Sequence, residues 1–317
     1  MGEAKKCPRC TSGMHGMPRP RHLLVCGDSR DPQSWQRLLG AGGARPTVVF
    51  TSPPYASQRK YDEGSGFKPI PPDEYGDWWE AVQAGVRDVL AGDGSFFVNI
   101  KEHCEDGQRH LYVKRLVIRM VEAWGWRFVD ELCWRDTKNG MPGTFPSRFK
   151  DAWEPIFHFS ANKAIKFDAK RNASKTTNAF VYSSETHIEL NDDGFQKGER
   201  RTFCDGMALP SNVLEIPSGG TGEHSAAFPV ALPTFFVRAY SDPGDTIADP
   251  FMGSGSTAIA AAQEGRLSLG VEISPKYMDV IRRRLTRWLR AHNLAAGGGA
   301  LDERTAQPAP QDAAAQP

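Results

Sequence analysis

The 317-residue chain has almost no net charge: 39 lysines and arginines against 38 aspartates and glutamates leave +1 at pH 7. A global electrostatic attraction to a polyanion is therefore excluded, and any basic surface must be local. Cysteine is sparse too. The six residues, at positions 7, 10, 26, 104, 133 and 204, are scattered and several lie in apolar runs. That excludes a disulfide framework and fits reduced thiols in a cytoplasmic chain. No apolar run approaches the length of a membrane span, and the N-terminus is too polar for a signal peptide, so no membrane partner is expected. What is present, 39% hydrophobic residues in a chain of this length, suits one large α/β domain or one domain with an insertion.

One stretch stands out. Thr51-Ser52-Pro53-Pro54-Tyr55 follows the apolar run from Thr47 to Phe50 and interrupts it, as when a buried strand ends in a rigid loop. The two prolines fix φ and remove two backbone donors, so the loop presents a hydroxyl, carbonyl acceptors and an aromatic ring. Taken alone, it also fits a solvent-exposed Pro-Pro turn. A second stretch runs from Asp245 to Thr257: a short strand, the turn Asp249-Pro250-Phe251-Met252-Gly253-Ser254-Gly255, and the start of an Ala-rich helix reaching Gln263. Gly253 and Gly255 let the backbone approach a ligand closely, and a helix N-terminus favours an anion by roughly 0.3–1 kcal/mol at an exposed site. No Lys-Ser or Lys-Thr follows the second glycine, which excludes a P-loop, and Ala258 breaks the G-x-G-x-x-G dinucleotide spacing. The next strand, Leu267 to Val271, ends in Glu272, a carboxylate placed to accept from ribose hydroxyls.

The rest of the chain supplies the frame. Residues 1–21 read as a flexible basic extension; its Cys7-Pro8-Arg9-Cys10 knuckle has no second paired knuckle, so no metal site is expected. Leu23 to Cys26 reads as a strand ending near Asp28, followed by a short helix from Trp35 to Leu39. Further alternation follows: a helix from Asp73 to Leu90, a strand from Ser95 to Ile100, a helix from His110 to Trp124, and strands at Arg127 to Trp134 and Pro155 to Phe159. Alternation of this kind predicts a mostly parallel sheet covered on both faces, with ligands outside the carboxyl ends of its strands. Periodicity fades over 161–223, where Lys163, Lys166, Lys170, Arg171 and Lys175 form a local basic cluster that fits a functional insertion or a solvated face. Order returns with Phe228 and a helix from Pro229 to Tyr240. The Arg-rich helix Tyr277 to Leu289 fits a DNA-backbone contact or a solvated face, and residues 291–317 read as a disordered tail.

Asp249-Pro250-Phe251-x-Gly253-x-Gly255 with Glu272, together with Thr51-Ser52-Pro53-Pro54-Tyr55, resembles the β-class DNA amino-methyltransferases. These N4-cytosine and N6-adenine enzymes use S-adenosylmethionine and keep the catalytic loop in the N-terminal half. The resemblance covers about residues 22 to 290. It implies a Rossmann-like, seven-stranded α/β methyltransferase sheet, circularly permuted, in which the Ile247 strand is first and the Leu269 strand second. It divides the chain into a catalytic part (22–160), an inserted target-recognition region (161–223) and a cofactor-binding part (224–290). It implies that Ser52 and the Pro53 carbonyl accept the amine protons, that Pro54 belongs to the same loop, and that Tyr55 stacks on an extruded base. Asp28, Phe228, Asp249, Pro250, Phe251, Gly253, Ser254, Gly255 and Glu272 would hold S-adenosylmethionine. The expected partners are duplex DNA and a cognate restriction endonuclease. Ser at position 52 resembles the cytosine-N4 group, with N6-adenine the alternative; methylation at cytosine C5 is disfavoured because no cysteine follows a proline. A non-catalytic DNA-binding relative and a methyltransferase for RNA or a small molecule are the readings from other classes.

Overall fold

The computed structural model describes residues 22–40, 43–56, 67–137, 149, 151–175, 189–190, 196–197, 207–218, 228–292 and 301–303. Its frame is one sheet, whose strands are β1 (His22–Cys26), β2 (Val48–Thr51), β3 (Ser95–Asn99), β4 (Arg127–Arg135), β5 (Trp153–Ser160), β6 (Val213–Glu215), β7 (Thr246–Asp249), β8 (Leu267–Glu272) and β9 (Leu301–Glu303). Their spatial order is β6-β4-β5-β3-β2-β7-β8-β1-β9. The central members β2, β3 and β7 are buried along their whole length. Strands covered on both faces read as continuous apolar runs, which is why Val48-Val49-Phe50 and Phe96-Phe97-Val98 lack alternation. Only β5 runs antiparallel to its neighbours β3 and β4. With β6 and β9 set aside, this is the expected permuted seven-stranded order.

Among the described residues six helices cover the sheet: α1 (Pro32–Gly40), α2 (Tyr75–Val89), α3 (Tyr112–Glu122), α4 (Ala231–Tyr240), α5 (Ser256–Gln263) and α6 (Pro275–Ala291). Helices α1 to α3 bury one face, with Trp35, Trp79, Val82, Val86 and Leu116 packed on Val49, Phe96, Phe159 and Leu269. Helix α4 fills the opposite face with Leu232, Phe236 and Val237 against Phe50, Phe97 and Ile247, and α5 and α6 continue it around Leu24 and Met252. The apolar stripe of α6, Met278, Ile281, Leu285 and Leu289, is buried and follows the 3.6-residue period. Its start is fixed by Ser274, whose side chain accepts from the Tyr277 N–H, with Pro275 in the first turn.

The flanks of the 161–223 stretch are joined to the elements around them. Asp168 N–H donates to the Ala239 carbonyl (2.8 Å), and Val213–Glu215 extends the sheet as β6, parallel to β4. The basic cluster is in part neutralised rather than offered to a polymer: Lys166 pairs with Asp242 (2.9 Å) and Asp245 (2.7 Å), and Arg171 with Asp242 (2.6 Å) and Asp168 (3.2 Å). Leu301–Glu303, placed by composition in a disordered tail, pairs in parallel with His22–Leu24 of β1; backbone pairing needs no particular side chains, so composition does not reveal it. Cys7 and Cys10 lie outside the described residues. Among the described residues no group of His, Cys, Asp or Glu could hold a metal ion, and no helix is long and apolar enough to cross a membrane.

Candidate active site

Strands β2 and β7 are parallel neighbours, with Ile247 opposite Val48 and Ala248 opposite Val49. Beyond their carboxyl ends the chain leaves in different directions, which is the switch point where open α/β sheets form a crevice. The two stretches singled out in the sequence sit on these two strand ends. A buried carboxylate joins them. Asp249 Oδ1 accepts from Thr51 Oγ1 (2.7 Å) and from the Phe251 N–H (2.9 Å), and Oδ2 accepts from Thr257 Oγ1 (2.7 Å). Asp249 has no exposed surface, so it ties the loop after β2 to the first turn of α5. Burial pushes its carboxyl up to about 6, against the opposing pull of the two hydroxyls and the amide.

The turn from Pro250 to Gly255 is held by its own backbone. The Met252 N–H donates to the Val271 carbonyl (3.0 Å) and the Gly255 N–H to the Met252 carbonyl (2.8 Å). Gly255 has φ +82°, and a Cβ there would lie 3.1 Å from Ile281 of α6, so glycine serves both conformation and packing. Gly270, inside β8, was not anticipated: a Cβ there would meet the Met252 side chain at 2.4 Å. A glycine interrupting an apolar strand was the available signal for such a close approach. Ser254 is buried, and its carbonyl accepts from Arg284. Phe228 packs edge-on against Phe50 at 5.3 Å, and its carbonyl accepts from Ser256 Oγ (3.0 Å), bringing it to the head of α5. Phe251 turns the other way and stacks on Trp78 of α2 at 5.6 Å.

Glu272 ends β8 beside that turn. Oε2 accepts from the Gly253 N–H (2.7 Å) and Oε1 from the Ser274 N–H (2.9 Å). Burial raises its carboxyl to about 7, with the backbone donors pulling down and Asp249 adding to the rise. Neither Asp249 nor Glu272 has a Lys or Arg partner among the described residues. Asp28, at the end of neighbouring β1, does have one: Arg30 pairs with it at 2.6 Å, and the Arg30 N–H donates to it at 2.9 Å. A hydroxyl reaching Asp28 would share that carboxylate with Arg30.

On the other side of the crevice, Ser52 and Pro54 are partly exposed while Pro53 and Tyr55 are buried. The Pro54 carbonyl accepts from Tyr75 Oη (2.8 Å). Tyr55 is only 8% exposed, and its hydroxyl donates to Glu154 Oε2 (2.9 Å). The solvent-exposed turn that the loop also fitted is therefore not what forms. Asn99, 1% exposed at the end of β3, donates to the Pro155 carbonyl (3.1 Å) and lies 3.5 Å from Glu154 Oε2. Tyr75, Trp78, Asn99 and Glu154 were missed by sequence reasoning, since no local pattern pairs residues this far apart in the chain; Thr51 and Thr257 lay in the two stretches singled out, but without a role.

Residues 47–283 match the family model described as DNA methylase. The Type II methyltransferase M.PvuII of Proteus hauseri is 27% identical over 266 residues, covering 73% of this chain and 75% of its own. Among solved structures, the PvuII DNA methyltransferase, described as cytosine-N4-specific, superposes with a TM-score of 0.58 at 23% identity, covering 87% of this chain and 95% of that one. A Thermus thermophilus protein described as a DNA modification methylase, solved with S-adenosyl-L-methionine, gives 0.54 at 20% identity over 90% of this chain and 100% of its own.

Proposed function

The chain belongs to the DNA methylase family that its residues 47–283 match, and from that premise we propose that it moves a methyl group from S-adenosylmethionine to the N4 amine of cytosine in duplex DNA. The observation that carries the reading is the Thr51–Asp249–Thr257 link, which joins an acceptor-rich loop and a glycine turn across one crevice. The PvuII enzyme's description as cytosine-N4-specific supports the choice of base, as does Ser52 at the head of the loop. The Type II designation of the Proteus hauseri relative supports a cognate restriction endonuclease as a partner in the cell. The intact loop and glycines weigh against a non-catalytic relative.

The residues at the turn suit that cofactor. Glu272 and Asp249 are carboxylates without a cationic partner among the described residues, and such a pocket favours a ligand that brings hydroxyl donors and positive charge over one that brings phosphates. Bound there, S-adenosylmethionine supplies an electrophilic methyl group on a sulfonium. Glu272 would accept from its ribose, Gly253, Ser254 and Gly255 would give backbone approach, and Asp28, Phe228, Pro250 and Phe251 would line the pocket. Asp249 acts from beneath, by holding both walls.

The loop does the work on the base. An exocyclic amine is a poor nucleophile while its lone pair is conjugated with the ring, and acceptors on its protons help to rehybridise it. The Pro54 carbonyl already accepts from Tyr75, which leaves Ser52 Oγ and the Pro53 carbonyl as the pair for the amine. Extruding a base costs a few kcal/mol, and one aromatic stack returns about 1–3 kcal/mol. Stacking on Tyr55 offsets much of that cost, and phosphate contacts supply the rest. Holding both reactants in one crevice lowers the barrier by up to about 7–11 kcal/mol without a covalent intermediate.

The test is to incubate the protein with unmethylated duplex DNA and labelled cofactor, digest to nucleosides and identify the product by mass spectrometry. N4-methylcytosine is expected. N6-methyladenine as the sole product overturns the choice of base, and no product with cofactor bound overturns the enzymatic reading. Full activity in Ser52→Ala would remove its hydroxyl from the mechanism.

A further inference from the structure

We propose that Glu154 is a positioning residue for the methyl transfer: itself steadied by Asn99, it sets the orientation of the Tyr55 ring through Tyr55 Oη, and so the readiness of the loop to receive a base. The inference rests on the DNA-methyltransferase reading and adds a residue to it.

Glu154 lies near the start of β5, opposite Trp134 of β4, at the end of the sheet where the Ser52–Tyr55 loop sits. It is partly buried yet forms no ion pair with a Lys or Arg among the described residues; the nearby Asp151 is the acid that Lys101 (3.4 Å) and Arg109 engage. A carboxylate withdrawn from water without a countercharge is costly unless it is hydrogen-bonded. Here its partners are Tyr55 Oη at 2.9 Å and the buried Asn99 amide at 3.5 Å. Nothing in the packing of β5 requires an acid at this position, whereas the loop gains a fixed point from it. With Thr51 held by Asp249 and the Pro54 carbonyl held by Tyr75, Tyr55 Oη on Glu154 is the third anchor of a loop only a few residues long. A stacking ring must be held near its productive angle before the base arrives, because ordering it afterwards subtracts from the gain on stacking. A hydroxyl donated to a carboxylate is a strong, directional way to do so.

The experiment is a double-mutant cycle on the full-length chain with Glu154→Ala and Tyr55→Phe, measured as kcat and as KM for S-adenosylmethionine in transfer to duplex DNA. Glu154→Ala should lower kcat roughly tenfold, the size of one hydrogen bond to a charged group, with KM for the cofactor unchanged. In the Tyr55→Phe background the same substitution should cost almost nothing more, because the hydroxyl it acts through is gone. Glu154→Gln, which keeps an acceptor oxygen, should recover most of the loss. Losses that multiply independently in the double variant overturn the proposal, as does a wild-type kcat in Glu154→Ala. A loss in Glu154→Ala accompanied by a raised cofactor KM and a lower melting temperature overturns it in favour of a purely structural role. If Glu154→Ala does not fold, the Gln variant and the Tyr55→Phe cycle with it decide: additive losses there overturn the proposal. A wild-type chain that binds cofactor and methylates no DNA sinks the underlying reading instead, and is told apart by its own lack of product.

Discussion

Two buried acids at one end of the sheet and a charged cluster at the other are handled in opposite ways. At the carboxyl ends of the strands, Asp249 and Glu272 are buried carboxylates raised to about 6 and about 7 with no cation beside them. At the amino ends, Lys166, Arg171, Asp168, Asp242 and Asp245 form a paired network, and buried Arg266 donates to Ser241 Oγ at 3.0 Å. Both ends contain buried or half-buried ionisable groups, so burial alone does not mark the site. What differs is completion. The lower network is closed by its own partners, and Asp242 is held down to about 2 by Lys166 and Arg171. The upper acids are held by neutral hydroxyls and amides, and the countercharge they lack is what a cationic ligand brings.

The largest break in this contrast is Asp249→Ala. It leaves Thr51 Oγ1, Thr257 Oγ1 and the Phe251 N–H without their acceptor, and unpaired buried donors each cost about 1–3 kcal/mol. We expect kcat/KM for methyl transfer to fall by roughly a hundredfold or more, with a lower melting temperature. Wild-type kinetics in this variant would mean that the two walls of the crevice are aligned by something else.

Next in size is the acid response of the lower end. His22 donates to or accepts from Ser268 Oγ at 2.8 Å through Nδ1, and His158 meets Ser95 Oγ at 2.9 Å through Nε2. The other nitrogen of each ring is buried without a partner among the described residues, so a proton there would be an unpaired buried charge. Burial accordingly lowers the two pKa values to about 4 and about 3. The unfolded state then binds more protons than the folded one below pH 6.5, and stability present above that pH is lost as pH falls toward 4 and 3. Asp249 and Glu272 act in the reverse sense: their raised values favour the fold at low pH and weaken it as pH rises through 6 and 7. Urea melts of the wild type and of His158→Phe between pH 7 and 4 separate them. Relative to the wild type, the His158→Phe curve should tilt toward greater stability as pH falls from 7 to 4, whatever the net change of the wild type; parallel curves would acquit His158.

Smaller, and at the upper end, is the pH dependence of cofactor affinity. A cationic ligand favours ionised Glu272, so its Kd should weaken about tenfold between pH 8 and pH 6, with up to about one proton released per site on binding at the lower pH. Glu272→Gln should bind weakly at both pH values, with a flat profile. A wild-type Kd that is flat across this range would exclude Glu272 from the pocket.

The contrast also explains what could be read before the structure. Strands and helices were legible because Leu23-Leu24-Val25, Val48-Val49-Phe50 and the α2 stripe of Trp79, Val82 and Val86 carry their burial in local spacing. The loop at Ser52 and the turn at Gly253 were legible for a related reason: prolines and glycines act on their own backbone. Asp249 was legible as a residue but not in its job, since its partner Thr51 is set by strand pairing and Thr257 by the path of the glycine turn into α5. Glu154 was invisible, because 99 residues separate it from Tyr55 and its own neighbours, Trp153 and Pro155, describe only a strand. The same holds below. Lys166 and Arg171 fitted a functional insertion or a solvated face alike until the fold placed Asp242 and Asp245 against them.

Lys166→Met sharpens that last point and has the smallest expected effect. Its ammonium meets two carboxylates, but Arg171 also holds Asp242, and the Lys166 side chain keeps a quarter of its exposure. Water screens such a pair, so the loss should be only ~1 kcal/mol in a denaturant melt. Part of it should be visible as a rise in the Asp242 pKa from about 2, which moves the pH at which that stability is lost upward toward the ordinary carboxylate value. DNA affinity and its salt dependence should not change, because a cation already closed by two acids releases no counterions from phosphate. A shallower salt slope in Lys166→Met would show that this cation reaches DNA after all, and that the lower end of the sheet is less self-contained than its pairing indicates.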